Sequence, residues 1–133
     1  MREEHVVVLA LDIDDTITTN PVFFATLSSA ITDAGGRVII VTSRTNAPET
    51  QLETERQLRK WKITYDTLHM LDSAEHAAQA CPHADLDWYQ KYLWQKVDIC
   101  LREGVGVVYD DDAKVIALFR RFAPGIHVHE VVT

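Results

Sequence analysis

Residues 6–11, Val-Val-Val-Leu-Ala-Leu, form an unbroken apolar run rich in β-branched side chains, and the run stops at Asp12. A strand with one wet face alternates apolar and polar residues. A run without alternation belongs to a strand covered on both faces, and such strands are characteristically parallel and joined by helices. The rest of the sequence supplies both kinds of element. Phe23, Phe24, Leu27 and Ile31 recur at helical spacing after the Thr18-Thr19-Asn20-Pro21 turn, until Gly35-Gly36 stops them. Residues 37–41 read as a second buried strand with 42–47 as its exit loop. Residues 48–60 then read as a helix with Pro48 in its first turn. Residues 65–71 are a weaker strand candidate, and 72–87 are the least periodic segment, read as a loop with a short helix over 74–80. Residues 88–102 are helical through Tyr89, Tyr92 or Leu93, Val97 and Cys100 or Leu101, and Gly104 ends them. A buried strand over 105–109, a helix over 113–122 and a weakly alternating strand over 126–132 complete the chain.

This alternation predicts an α/β fold: a Rossmann-like parallel sheet of about five strands, with right-handed crossovers and helices on both faces. The 133 residues, 47% hydrophobic, suffice for one core, so a single domain over 1–133 is expected. No apolar run approaches the ~18–20 residues needed to cross a bilayer. Residues 1–5 lack the basic start and apolar stretch of a signal peptide, and Cys81 and Cys100 stand in no metal or redox spacing, which together predict a cytoplasmic protein away from membranes. The net charge of −7 opposes broad, sequence-independent attraction to a polyanion.

In open parallel sheets, ligands bind outside the carboxyl ends of the strands. Those ends carry Asp12, Asp14 and Asp15 after the first strand, Thr42, Ser43 and Arg44 after the second, and Asp110, Asp111 and Asp112 after the fourth. Asp12 and Asp14 are two apart in extended chain, so their side chains leave on the same side. With Asp110 and Asp111 they make a four-acid set with no His or Cys beside it, and an all-oxygen set of repelling carboxylates suits Mg²⁺. Thr42 adds a hydroxyl. A lysine would balance phosphoryl charge, and phosphoryl transfer consists largely of such positioning and neutralisation.

Leu11-Asp12-Ile13-Asp14-Asp15-Thr16 resembles the Asp-x-Asp-x-Thr first motif of the haloacid dehalogenase superfamily, Ile39-Ile40-Val41-Thr42 its second motif and Val107-Val108-Tyr109-Asp110-Asp111 its fourth. The resemblance implies a capless phosphohydrolase working through an aspartyl-phosphate. In it Asp12 attacks phosphorus, Asp14 protonates the leaving oxygen and then activates water, and Thr42 binds the phosphoryl oxygens. It places Mg²⁺ on Asp12, the Asp14 backbone carbonyl and Asp110, with Asp111 in support. Asp15 stands where many members carry Gly and receives no role. For the third-motif lysine, Lys91 and Lys96 compete. Lys91 lies near the start of its helix and Lys96 ~7.5 Å further along the axis, so Lys91 is the expected catalytic residue and Lys96 an exposed, solubilising one.

Val41-Thr42-Ser43-Arg44, Arg59-Lys60-Trp61, residues 65–70, Lys91, Tyr109-Asp110-Asp111, Val115-Ile116 and Arg120-Arg121 are together similar to the phosphatase domain of polynucleotide kinase-phosphatases. This implies 3′-phosphate ends of nucleic acid, or nucleotides, as substrate, with Thr16, Ser43 and Arg44 as binding residues. Leu71 and Asp112 depart from that pattern, standing where such domains often carry Arg. The chain has no Gly-x-x-x-x-Gly-Lys-Ser/Thr loop, so a kinase or ligase partner would be a separate chain. One alternative is a phosphatase of a small metabolite, a sugar phosphate or nucleotide. Another is a receiver-type phosphoacceptor with Asp72 after the third strand, although receivers carry Ser or Thr after the fourth strand and a later lysine, and no lysine follows Lys114 here. His76, Cys81 and His83 match no standard zinc spacing and read as a polar loop. His127 and His129 read as surface residues. Trp61, Trp88 and Trp94 have the chemistry to stack on bases, at positions typical of core or rim.

Overall fold

A computed structural model describes residues 6–132; the reading of residues 1–5 as lacking a signal lies outside the described residues. Strands β1 (Val8–Leu11), β2 (Arg37–Thr45), β3 (Thr67–Leu71), β4 (Val107–Asp110) and β5 (His127–Glu130) pair in parallel in the order β3-β2-β1-β4-β5. Helices α1 (Pro21–Asp33) and α2 (Pro48–Lys60) connect the first three strands. Helices α3 (Ala74–Ala80) and α4 (Trp88–Arg102) cross from β3 to β4, and α5 (Ala113–Phe122) leads to β5. Among the described residues no helix is long and apolar enough to cross a membrane.

The unbroken apolar strands are split residue by residue between two cores. Val8 and Ala10 of β1, Ile39 and Val41 of β2 and Val108 of β4 pack with Ala77, Leu93, Val97, Val115 and Phe119 of α3, α4 and α5. Leu9 and Leu11 of β1 and Val38 and Ile40 of β2 pack with Phe24 of α1 and Leu58 of α2 on the opposite face. Successive side chains of a strand alternate faces, so a strand buried on both sides must be apolar at every position.

Sequence and structure agree on the bodies of the helices and differ at strand ends. The strand predicted to stop at residue 41 continues to Thr45, with the β2–β3 register slipping between Thr42 and Thr45. β3 starts at Thr67 because Asp66 already engages Val38: its amide donates to the Val38 carbonyl and its carboxylate accepts from the Val38 amide, both at 2.8 Å. Residues 72–87 are more than a loop, since Ala77, Cys81 and Leu86 are buried in the core beneath α4. Helix α1 closes with the Gly36 amide donating to Ile31 and the Gly35 amide to Thr32, Gly35 lying at φ +86°. A Cβ on Gly36 would sit 2.8 Å from the Val7 carbonyl, so this turn admits only glycine.

The chain steps outward from β1 to β2 and β3, then returns across the sheet to β4 and β5. The reversal between β1 and β4 is the switch point where open α/β sheets leave a crevice. Receiver domains have the order 2-1-3-4-5, so this topology excludes the receiver alternative.

Candidate active site

Strand parity aims the acids. Val8 and Ala10 face the α4 side, and two residues on Asp12 does the same; Val108 faces it too, and Asp110 follows. Asp12 and Asp110 therefore flank the switch point and look toward α4, which sends Lys96 between them. The Lys96 ammonium donates to Asp12 Oδ1 at 2.9 Å and to Asp110 Oδ2 at 2.8 Å. Lys96 is 2% exposed, Asp12 5% and Asp110 1%, so the three form a desolvated ionic group.

Lys96, read from the sequence as exposed and solubilising, is instead buried between the two acids, a correction to that reading. Lys91 and Lys96 are five apart on one helix, so their side chains diverge by about 140° around its axis, and only one can face the sheet edge. Distance along the axis does not by itself tell which lysine meets the acids, because α4 begins well beyond the strand ends. Tyr92, one turn before Lys96, has its hydroxyl on the Ser43 carbonyl at 2.7 Å and 3.0 Å from Thr45 Oγ1. The first turns of α4 overhang the edge, and Lys96 is the residue that comes level with it. Lys91 instead lies one turn before Gln95, whose amide is bonded to the Asp72 backbone.

Oxygens of Asp12, Asp110 and Asp111 lie within 4.8 Å of one another. Burial pushes the Asp12 carboxyl up to about 6 against the attraction of Lys96, with Asp111 adding to the rise. Burial also raises Asp110 and Asp111. It works against the charge on Lys96, but Asp12 and Asp110 overcome it and hold the ammonium above its ordinary range. Asp110 Oδ1 also accepts from the Asp112 amide at 3.0 Å, and Asp112 in turn caps α5.

The carboxylate of Asp14, expected in the same cluster, is elsewhere. It lies 61% exposed at the mouth, paired with Arg44 through Nε at 3.0 Å and Nη2 at 2.9 Å. These hydrogen bonds hold its carboxyl below the usual range. Arg44 sits in the two residues by which β2 bulges against β3, and its Nη1 donates to Thr54 and Gln57 of α2 at 2.9 and 2.7 Å. Sequence periodicity gave no sign of this brace, because Thr54 and Gln57 look like ordinary helix polar residues until the bulge turns Arg44 toward them. Thr42, expected to reach a phosphoryl oxygen, is fully buried, and its hydroxyl accepts from the Arg44 amide at 3.3 Å. It shares strand parity with Val38 and Ile40, away from Asp12. Thr16, expected at the substrate, is also fully buried, and its hydroxyl donates to Asp12 Oδ2 at 3.2 Å. Ser43 is exposed beside Arg44. Asp15 adopts φ +58°, the left-handed conformation that glycine takes most readily.

No family model matches the sequence, and no curated protein matches it. The fold is similar to that of a chain in a solved structure of the Pnkp1/Rnl/Hen1 RNA repair complex, with a TM-score of 0.65 and 20% identity over 98% of this chain and 44% of that one. A chain in a structure of the Pnkp1/Rnl/Hen1 complex gives 0.64 and 21% over 97% and 47%. The present chain spans less than half the length of these neighbours, and at such identity the likeness establishes the fold.

Proposed function

We propose that this chain is a phosphomonoesterase of the haloacid dehalogenase type, using Mg²⁺ and acting on 3′-phosphate ends of nucleic acid or nucleotides. The observation that carries the reading is the group formed at the switch point: Asp12 and Asp110 bridged by Lys96, with Asp111 beside them and Asp14 at the mouth. The residues fit a hard cation. The donors of Asp12, Asp110 and Asp111 are all oxygen, and burial, with a smaller contribution from their mutual repulsion, has raised all three carboxyls, so a bound cation would offset a cost already present. These three would hold Mg²⁺, with the Asp14 backbone carbonyl as the family resemblance implies; when bound it neutralises phosphoryl charge.

In this reading an Asp12 carboxylate oxygen attacks phosphorus, the bond to the leaving oxygen breaks, and an aspartyl-phosphate forms. Lys96 and Thr16 fix the orientation of Asp12 from opposite oxygens. Asp14 gives the leaving oxygen its proton and later takes one from the water that cleaves the intermediate. A carboxyl held low by Arg44 is poorly suited to the first of these steps. A phosphate dianion bound beside Arg44 would share its guanidinium and so weaken the hold on Asp14 that keeps its carboxyl ionised.

The motif similarity to polynucleotide kinase-phosphatases and the fold likeness to chains of an RNA repair complex support a nucleic-acid end as substrate and a separate kinase or ligase as partner. The net charge of −7 favours a second reading, a small phosphomonoester. Hydrolysis of 3′-phosphorylated oligonucleotides with Mg²⁺ and with EDTA tests the scheme, alongside beryllium fluoride capture. Asp12→Asn should abolish both turnover and capture. Turnover by that variant, or a rate indifferent to EDTA, would overturn it.

A further inference from the structure

The overhanging start of α4 carries an aromatic cluster that the chemistry above leaves unused. Trp88, Tyr89 and Tyr92 follow one another around its first turn. Trp88 and Tyr89 have ring centroids 5.4 Å apart, and Tyr89 and Tyr92 lie 6.5 Å apart with planes 12° from parallel. Trp88 is 66% exposed. The cluster is anchored at both ends of the site. Tyr92 is bonded to Ser43 at the exit of β2, and the Lys114 ammonium, just beyond the acids that follow β4, stands 5.1 Å over the Tyr89 ring. A capping box between Asp87 and Gln90 fixes the backbone of this turn. Tyr89, Tyr92 and Lys96 fall at i, i+3 and i+7, on one face of the helix. A phosphate held beside Asp12 and Lys96 therefore has Tyr92 ~6 Å and Tyr89 ~10 Å above it along the axis, where the first and second nucleotides behind a terminal phosphate would lie.

We propose that Trp88, Tyr89 and Tyr92 form a stacking platform for the last one or two unpaired bases of a single-stranded nucleic-acid end, with Lys114 beside the backbone. This rests on the reading of the site as a phosphatase of such ends. The exposed ring of Trp88, backed by the half-buried Tyr89 and Tyr92 and close to the Lys114 ammonium, fits nucleobases, whose π-faces stack irrespective of sequence. The charge balance points the same way: a chain with net charge −7 gains little from tracking a polyanion, which leaves stacking as the main grip beyond the terminal phosphate.

The test is binding without turnover: fluorescence anisotropy of a short single-stranded oligoribonucleotide ending in a 3′-phosphate, in EDTA. Trp88→Ala should weaken binding about fivefold to a hundredfold, as loss of one stacked base does, while Trp88→Phe should restore most of it. Wild-type protein should suffer a similar loss when the two 3′-terminal nucleotides are abasic. Equal affinity for abasic and intact ends, or for Trp88→Ala and wild type, would overturn the platform. Self-association abolished by Trp88→Ala, read by sedimentation, would assign the surface to a second copy of the chain and overturn it as well. Mg²⁺-dependent hydrolysis of glycerol 2-phosphate, which carries no ring, reports separately on the catalytic site. Its failure counts against the phosphatase reading, and loss of base-dependence counts against the platform.

Discussion

Burial raises the Asp12 carboxyl to about 6 despite the Lys96 ammonium at 2.9 Å, and this has a pH signature. The folded carboxyl binds its proton more tightly than the unfolded one, so the contribution of Asp12 to stability is full below about 3.9 and is lost as pH rises through about 6. Asp12→Asn removes that loss. In EDTA, the stability of Asp12→Asn relative to wild type should therefore increase from pH 4 to pH 7, by on the order of 1–3 kcal/mol, and Mg²⁺ should narrow the gap at pH 7. Thermal melts of the two proteins check this; a gap flat in pH would refute it. Lys96 gives a second test. Lys96→Ala leaves Asp12 and Asp110 buried without a cationic partner, at a cost on the order of 3–5 kcal/mol, and in the folded fraction kcat should fall by about a hundredfold or more. Lys91→Ala should be mild. Steady-state kinetics with folding verified by circular dichroism decide, and the reverse ranking would mean that α4 is rotated from its position here.

The ends of the elements do much of the positioning. Helix α4 closes through Val105 donating to Cys100, with Gly104 at φ +70°, while α2 closes the same way through Ile63 donating to Leu58 but places Lys62 at φ +59°. A lysine there bears the crowding of Cβ against the carbonyl that glycine avoids. Lys62→Gly should stabilise the fold by up to about 1 kcal/mol, measurable as a rise in denaturation midpoint at unchanged m. A destabilised variant would show that the Lys62 side chain makes a contact worth more than the strain. The bulge in β2 acts at the opposite extreme, since two residues inserted against β3 turn Arg44 from the sheet edge to Asp14. Helix lengths were legible because the 3.6-residue period and the Gly stops are local signals. The extent of β2 was not, because it depends on pairing with β3, which starts 22 residues after Thr45.

At the scale of the whole molecule, net negative charge and an open sheet edge bound what the chain can grip. kcat/KM should stop rising after two or three nucleotides, with a shallow salt dependence, because few phosphates are neutralised. Measurement against oligonucleotide length at two salt concentrations checks this, and a steep, continuing rise with length would reveal a basic groove elsewhere. Much of this architecture was written in the sequence. Strands apolar at every position require cover on both faces, and helices between them impose parallel pairing, so Asp12 and Asp110 had to emerge together at the carboxyl edge. Parity along a strand is a local property, and it set the side on which both acids point. The burial of Lys96 between Asp12 and Asp110, the withdrawal of Asp14 to Arg44 and the burial of Thr16 and Thr42 were decided only by tertiary structure. Each depends on how far one element overhangs, or how far it is rotated against, another distant in sequence, and no periodicity within a single element records that offset.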